Sequence, residues 1–205
     1  MLPPGIVLDI CALNSSSLEQ GKNFLAGMGR VQESSFLDVV NELGWHESPG
    51  LALRLLALHH HLVPTEDLEV PGEYAKGFGM AIDAPRIQRL AARYGVQLAL
   101  HGHKHRLFVW HSSIYELPEE AQPRWYQGGL SIVGGGSAGS PETDGGKNYF
   151  NLIDVKSDGV TLQAYRSKKL TTFEPLNNSW TARLSLRDDR LTLEPWLPRD
   201  KPPKS

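Results

Sequence analysis

Eight histidines stand in this chain beside a single cysteine, and six of the eight fall in two short runs. The runs are His59-His60-His61 and His101-Gly102-His103-Lys104-His105. A neutral imidazole carries one lone pair at physiological pH and is a ready ligand for a divalent metal ion. Glycine turns tightly, so Gly102 would let His103 and His105 converge on one point or on two neighbouring ions. A single histidine after a strand is a weak signal. Two runs, each following a stretch of apolar residues, have the spacing of a metal-ligand set. Two plainer alternatives stand beside this. His59-His60-His61 would also suit a solvated loop, and Lys104 with protonated histidines would suit a loop that contacts phosphate.

The elements that would position these runs can be read from patterning. Leu51 to Leu58, LALRLLAL, looks like a strand buried on both faces, and it leads directly into His59. Val96 to Leu100, VQLAL, is a second strand and leads into His101. In open α/β sheets the carboxyl ends of strands are where ligand sites form. Gly5 to Leu13 is a third apolar strand, interrupted by Asp9 and ended by the polar turn Asn14-Ser15-Ser16-Ser17. Asn14 and Ser15 are candidate supporting donors, with a simple strand-end turn as the alternative. Ser34 to Leu43 has helical apolar spacing, with Gly44 as its stop. Asp83 to Tyr94 is the clearest helix. Asp83 is placed as N-cap and Pro85 in the first turn, Ile87, Leu90, Ala91 and Tyr94 form one apolar face, and Gly95 is the stop. Arg86, Arg89 and Arg93 read as its solvated face.

Beyond His105 the pattern turns to short strands: Leu107 to Trp110, Gly129 to Val133, Tyr149 to Val155, Val160 to Tyr165 and Thr181 to Leu186. The stretch 195–205 is rich in proline and charge and reads as a disordered tail after a domain spanning 1–194. The fold class is therefore α/β, a mixed sheet with an antiparallel β portion.

Composition narrows the function. With 21 Lys plus Arg against 23 Asp plus Glu the formal charge is −2, so no global field attracts nucleic acid or an anionic membrane. Forty per cent of the 205 residues are apolar and the mean hydropathy is −0.32, as in a soluble globular protein. No apolar run approaches the roughly 20 residues of a membrane span, and the N-terminus lacks a basic secretory leader. A cytoplasmic protein is expected. The lone Cys11 excludes an internal disulfide and reads as inert within an apolar strand. Gly134 to Ser140, GGGSAGS, lacks the Lys-Ser/Thr ending of a phosphate loop and reads as a mobile or hairpin connection. His46 and His111 stand alone and read as structural. The five tryptophans share no spacing and read as packing groups.

The succession LRLLAL-HHHLVP, a helix, then VQLALHGHKHR resembles the C-terminal half of a calcineurin-like metallophosphoesterase, with its strand-end His and its Gly-His-x-His. LDICALNSS resembles the family strand that ends in Leu-Asn-Ser. Gly134 to Gly139 followed by Asn148 to Ile153 resembles the strand pair that closes the family's second sheet. The resemblance covers about residues 6–165. It implies the C-terminal half of a four-layer α/β/β/α sandwich. It also implies hydrolysis of a phosphomonoester or phosphodiester at a dinuclear manganese, iron or zinc centre, by metal-bound hydroxide attacking in line. His59 would then be a ligand of the second metal, with His60 as the alternative if the register slips by one. His103 would ligate the same metal and His105 the first, with Gly102 as the turn that makes this possible. His61 and His101 receive no motif role and would be supporting or solvent-exposed.

The chain departs from the family in its carboxylates. No Asp-x-His and no Gly-Asn-His occurs anywhere in it. The family's bridging Asp and general-acid His are thus absent, and no catalytic residue is assigned. Two dications a few ångströms apart need anionic bridging ligands, and three imidazoles would hold one ion only weakly. The expectation is a half-site whose N-terminal half is missing, through a misplaced gene start, a split gene or a fragment, or is supplied by another chain. Such a half would aggregate or pair. Two other outcomes are a non-catalytic metal- or phosphate-binding module, and a mononuclear zinc hydrolase using His59, His103 and His105.

Overall fold

The computed structural model describes residues 5–17, 28–46, 51–65, 79–103, 105, 107–116, 126–136, 148–169, 172–187 and 190–199. Within them lie β1 (Val7–Ala12), α1 (Glu33–Glu42), β2 (Ala52–Ala57), α2 (Ala84–Arg93), β3 (Val96–His101), β4 (Phe108–Glu116) and β5 (Tyr126–Gly134). There follow β6 (Asn148–Val155), β7 (Gly159–Lys169), β8 (Thr172–Arg187), β9 (Arg190–Leu193) and β10 (Leu197–Pro198).

Two sheets form. The first runs β1-β2-β3-β5-β4, with β1, β2, β3 and β5 parallel and β4 antiparallel to β5. The second is antiparallel, β10-β8-β7-β6, with β9 also paired to β8. Alternation along β2 shows how they pack. Leu56 joins Phe36, Ile87, Leu90 and Ile132 in the core beneath the helices. Leu53 and Leu55 face the other way, among Val160, Leu162, Ala182 and Leu184 of the second sheet. A strand covered on both faces has no polar side, which is why LALRLLAL reads as continuous apolar sequence. Among the described residues the layers are helix, mixed sheet and antiparallel sheet, and no helices cover the outer face of the second sheet.

Arg54 is the exception within β2. It is 4% exposed, donates to the backbone carbonyl of Tyr94 at 2.8 Å, lies over the Trp45 ring and pairs with Asp9 at 3.7 Å. Asp9 also accepts from Trp45 Nε1 at 3.2 Å, so the lone acid of β1 neutralises this buried cation. Both helices end as expected, with Gly44 and Gly95 at φ of +65° and +66°. Asp83 behaves otherwise. Its carboxylate makes no cap bond to α2, and its two oxygens accept from Val31 and Gln32 N–H at 3.0 Å each, tying the residues that lead into α1 to the start of α2. Cys11 is fully buried, and desolvation pushes its thiol up to about 11.

The stretch expected as a tail from Pro195 is not free at its start. Leu197–Pro198 pairs with Trp180 and Thr181, Arg199 N donates to Ser179 O at 2.9 Å, and Trp196 packs into the inter-sheet core. An edge position suits Pro198, which has no N–H to give. Residues 200–205 lie outside the described set. No helix among the described residues is long and apolar enough to cross a membrane.

Candidate metal centre

Because β2 and β3 are parallel neighbours, with Ala57 opposite Leu100, the residues after both strands emerge side by side. Leu58 N donates to Leu100 O at 3.0 Å and Gly102 N to His59 O at 3.1 Å, which joins the two histidine runs through their backbones. The His59 and His103 rings lie 4.9 Å apart, those of His60 and His103 4.6 Å, and those of His59 and His60 4.9 Å. One ring nitrogen of each residue lies within 4.8 Å of the other two, so this group could hold a metal ion. Ligand nitrogens about 2.1 Å from an ion sit roughly 3–3.5 Å from each other. His103 Nδ1 and His59 Nε2 already have nearly that separation, 2.9 Å, and share a hydrogen bond.

His59, His60 and His103 are thus brought together, and His105 is not one of the three. Lys104 falls outside the described residues. The left-handed turn falls elsewhere than expected. His103 and His105 take positive φ, +57° and +54°, while Gly102 does not, and a Cβ on Gly102 would meet nothing within 4 Å. Placing two β-substituted residues in that region strains the backbone, a pattern found where geometry serves a site.

The two candidate supporting donors, Asn14 and Ser15, part ways. Asn14 is exposed and its Oδ1 accepts from Ser16 N at 2.9 Å, closing a local turn. Ser15 is the one that reaches the cluster: it is 1% exposed, and its Oγ contacts His59 N, His60 N and His60 Nδ1 at 3.0–3.1 Å. Gly29 packs on the same ring. A Cβ there would stand 2.3 Å from His60 Cγ, so only glycine lets that backbone pass. Nothing in the local sequence around Gly29 signals this contact, which comes from a segment thirty-one positions before His60.

His61 and His101 are not solvent-exposed. At 0% and 4% exposure they pack on each other at 4.4 Å and against Phe108, behind His103. Burial, then the nearby His103 and His59, lowers the His101 pKa to about 4, which keeps that ring neutral. Among the described residues no carboxylate or thiolate joins the three-histidine group. A set of neutral imidazoles suits one borderline divalent ion such as zinc, and does not suit two adjacent dications. His46 and His111 lie apart, bonded to Asn41 and Ser131.

Compared with known proteins, this chain is matched by no family model and by no curated protein.

Proposed function

We propose that this chain is a metal-dependent phosphoesterase domain of the calcineurin-like type, with its centre at the carboxyl ends of β2 and β3. The observation that supports it is the convergence of His59, His60 and His103 at that edge. Sequence resemblance adds His105 as a further ligand. An α, β, β layering is what the C-terminal half of the family's four-layer sandwich would leave. A divalent manganese, iron or zinc ion there would supply Lewis acidity toward a phosphoryl oxygen of a monoester or diester. The chain's own contribution is to hold that position with His59 and His103, backed by Ser15 and by the buried His61–His101 pair. A two-metal centre would draw its carboxylates from an N-terminal half or from another chain. The domain would work in the cytoplasm, where the lone Cys11 stays reduced.

The carboxylate-free donor set favours one further outcome, a non-catalytic module that binds a metal or phosphate. Hydrolysis of bis-p-nitrophenyl phosphate with added manganese separates the two. Turnover that disappears in His59→Ala supports the phosphoesterase. A metal-loaded chain without turnover, alone or with a supplied N-terminal half, supports the module.

A further inference from the structure

Three arginines meet around a cavity at the other end of the first sheet. Arg54 of β2, Arg93 at the end of α2 and Arg190 at the start of β9 line it, with Trp45, His46 and Tyr94 as aromatic walls. Its volume is about 190 Å³. The cavity lies where β3 begins, and the histidine runs lie where β2 and β3 end. The length of β3 puts roughly 15–20 Å between the two places.

Arg54 forms the fixed floor. Its side chain is 5% exposed, it donates to Tyr94 O at 2.8 Å, and its guanidinium lies 4.9 Å from the centre of the Trp45 ring. Arg93 and Arg190 are exposed and stand at the rim. None of the described residues lining the cavity is acidic. Two acids act on these arginines from outside the lining. Asp9 pairs with Arg54 at 3.7 Å, and Glu33, which senses Arg93, is held by Arg86 at 2.6 and 2.9 Å. Each guanidinium has five N–H donors, so a neighbour on one edge leaves others for a ligand. Gathering like charges at a buried wall is costly. Desolvation lowers the Arg54 pKa, Asp9 opposes this, and the nearby Arg190 lowers it further. A cleft of one sign with low-dielectric walls focuses its field on an anion that enters.

We propose that this cavity binds a small oxyanion, a phosphate or carboxylate group, gripped by Arg93 and Arg190 over the fixed Arg54. Guanidinium forks match both groups in geometry. The cavity is smaller than the roughly 300–1,000 Å³ of pockets for drug-sized ligands, so the anion is small. The site stands apart from the histidine edge and needs no metal.

The test is calorimetric titration of the full chain, stripped of metal, dialysed and held at low ionic strength. The probes are inorganic phosphate, pyrophosphate and succinate. One anion should bind per chain, and Arg93→Gln and Arg190→Gln should each weaken it about tenfold. Arg89→Gln removes an equal charge from the exposed face of α2 outside the cavity and should change binding less than about twofold. The His59→Ala/His103→Ala double variant should bind as the unsubstituted chain does. Pyrophosphate bound more tightly than succinate assigns the site to phosphate, the reverse order assigns it to carboxylate, and either supports the proposal. Heat from none of the three anions overturns it. So does a loss in Arg89→Gln as large as in Arg190→Gln, or a loss confined to the histidine double variant. The urea midpoint is the second measurement: the best-bound anion should raise it for the unsubstituted chain and leave it unmoved for Arg190→Gln. An equal rise in both contradicts the site.

Discussion

At the level of single residues, Ser15 and the histidines that the ligand motif leaves out hold the candidate site in place. Ser15→Ala removes one hydroxyl but strips the partner from two backbone N–H groups. It should lower stability by about 2–4 kcal/mol, read from the urea midpoint. Asn14→Ala, one position earlier on the exposed side of the turn, should leave stability within about 0.5 kcal/mol. His101 predicts a pH dependence. Its pKa falls from 6.5 to about 4 in the folded chain, chiefly through desolvation. Between those values the unfolded chain takes up a proton that the native one refuses. Stability is therefore full above pH 6.5, declines as pH falls toward 4, and levels off below, with a total loss of at most about 3 kcal/mol. Burial lowers the His111 pKa in the same direction. Urea midpoints between pH 7.5 and 4 check this, and a flat profile contradicts it. The residue types of the site were readable from the sequence because two histidine runs follow two apolar strands. The division of labour was not. Asn14 and Ser15 are both plausible donors on paper, and only the path of the turn makes Ser15 the buried one.

At the level of elements, β2 and β3 were readable because a strand covered on both faces must be apolar throughout. Their adjacency in parallel follows from α2 as the crossover between them. Strand lengths were less visible. β4 extends to Glu116 and β8 from Thr172 to Arg187, well beyond the apolar patches that announce them. Their polar portions are strands because partners hold them, as Ser112 opposite Leu130 and Ser113 opposite Gly129 show. β9 and β10 exist for a similar reason, with Trp196 between them set into the inter-sheet core. The approach of the Gly29 segment to His60 is another long-range feature that no local pattern encodes. Gly29→Ala places a methyl 2.3 Å from His60 Cγ and should cost about 1–3 kcal/mol, read from the urea midpoint. An unchanged midpoint would contradict the close approach.

For the whole molecule, the mixed sheet stands between helices and a second sheet, and the histidine edge is built where its parallel strands end. The opposite concern is the sheet's own border. β1 is the edge strand of the first sheet and leaves Val7 and Ile10 58% and 55% exposed. An edge with apolar side chains invites pairing. The chain should self-associate as its concentration rises, seen as growth in mass by light scattering, and Ile10→Lys should suppress it. A monomer that persists at high concentration contradicts this expectation. The central claim is that the ends of β2 and β3 form a metal site. The most direct measurement is the metal content of the full chain after zinc loading and dialysis, beside the His59→Ala/His103→Ala double variant. The full chain should retain about one zinc, lost in the double variant. A chain that retains no zinc, or a double variant that retains as much, contradicts it.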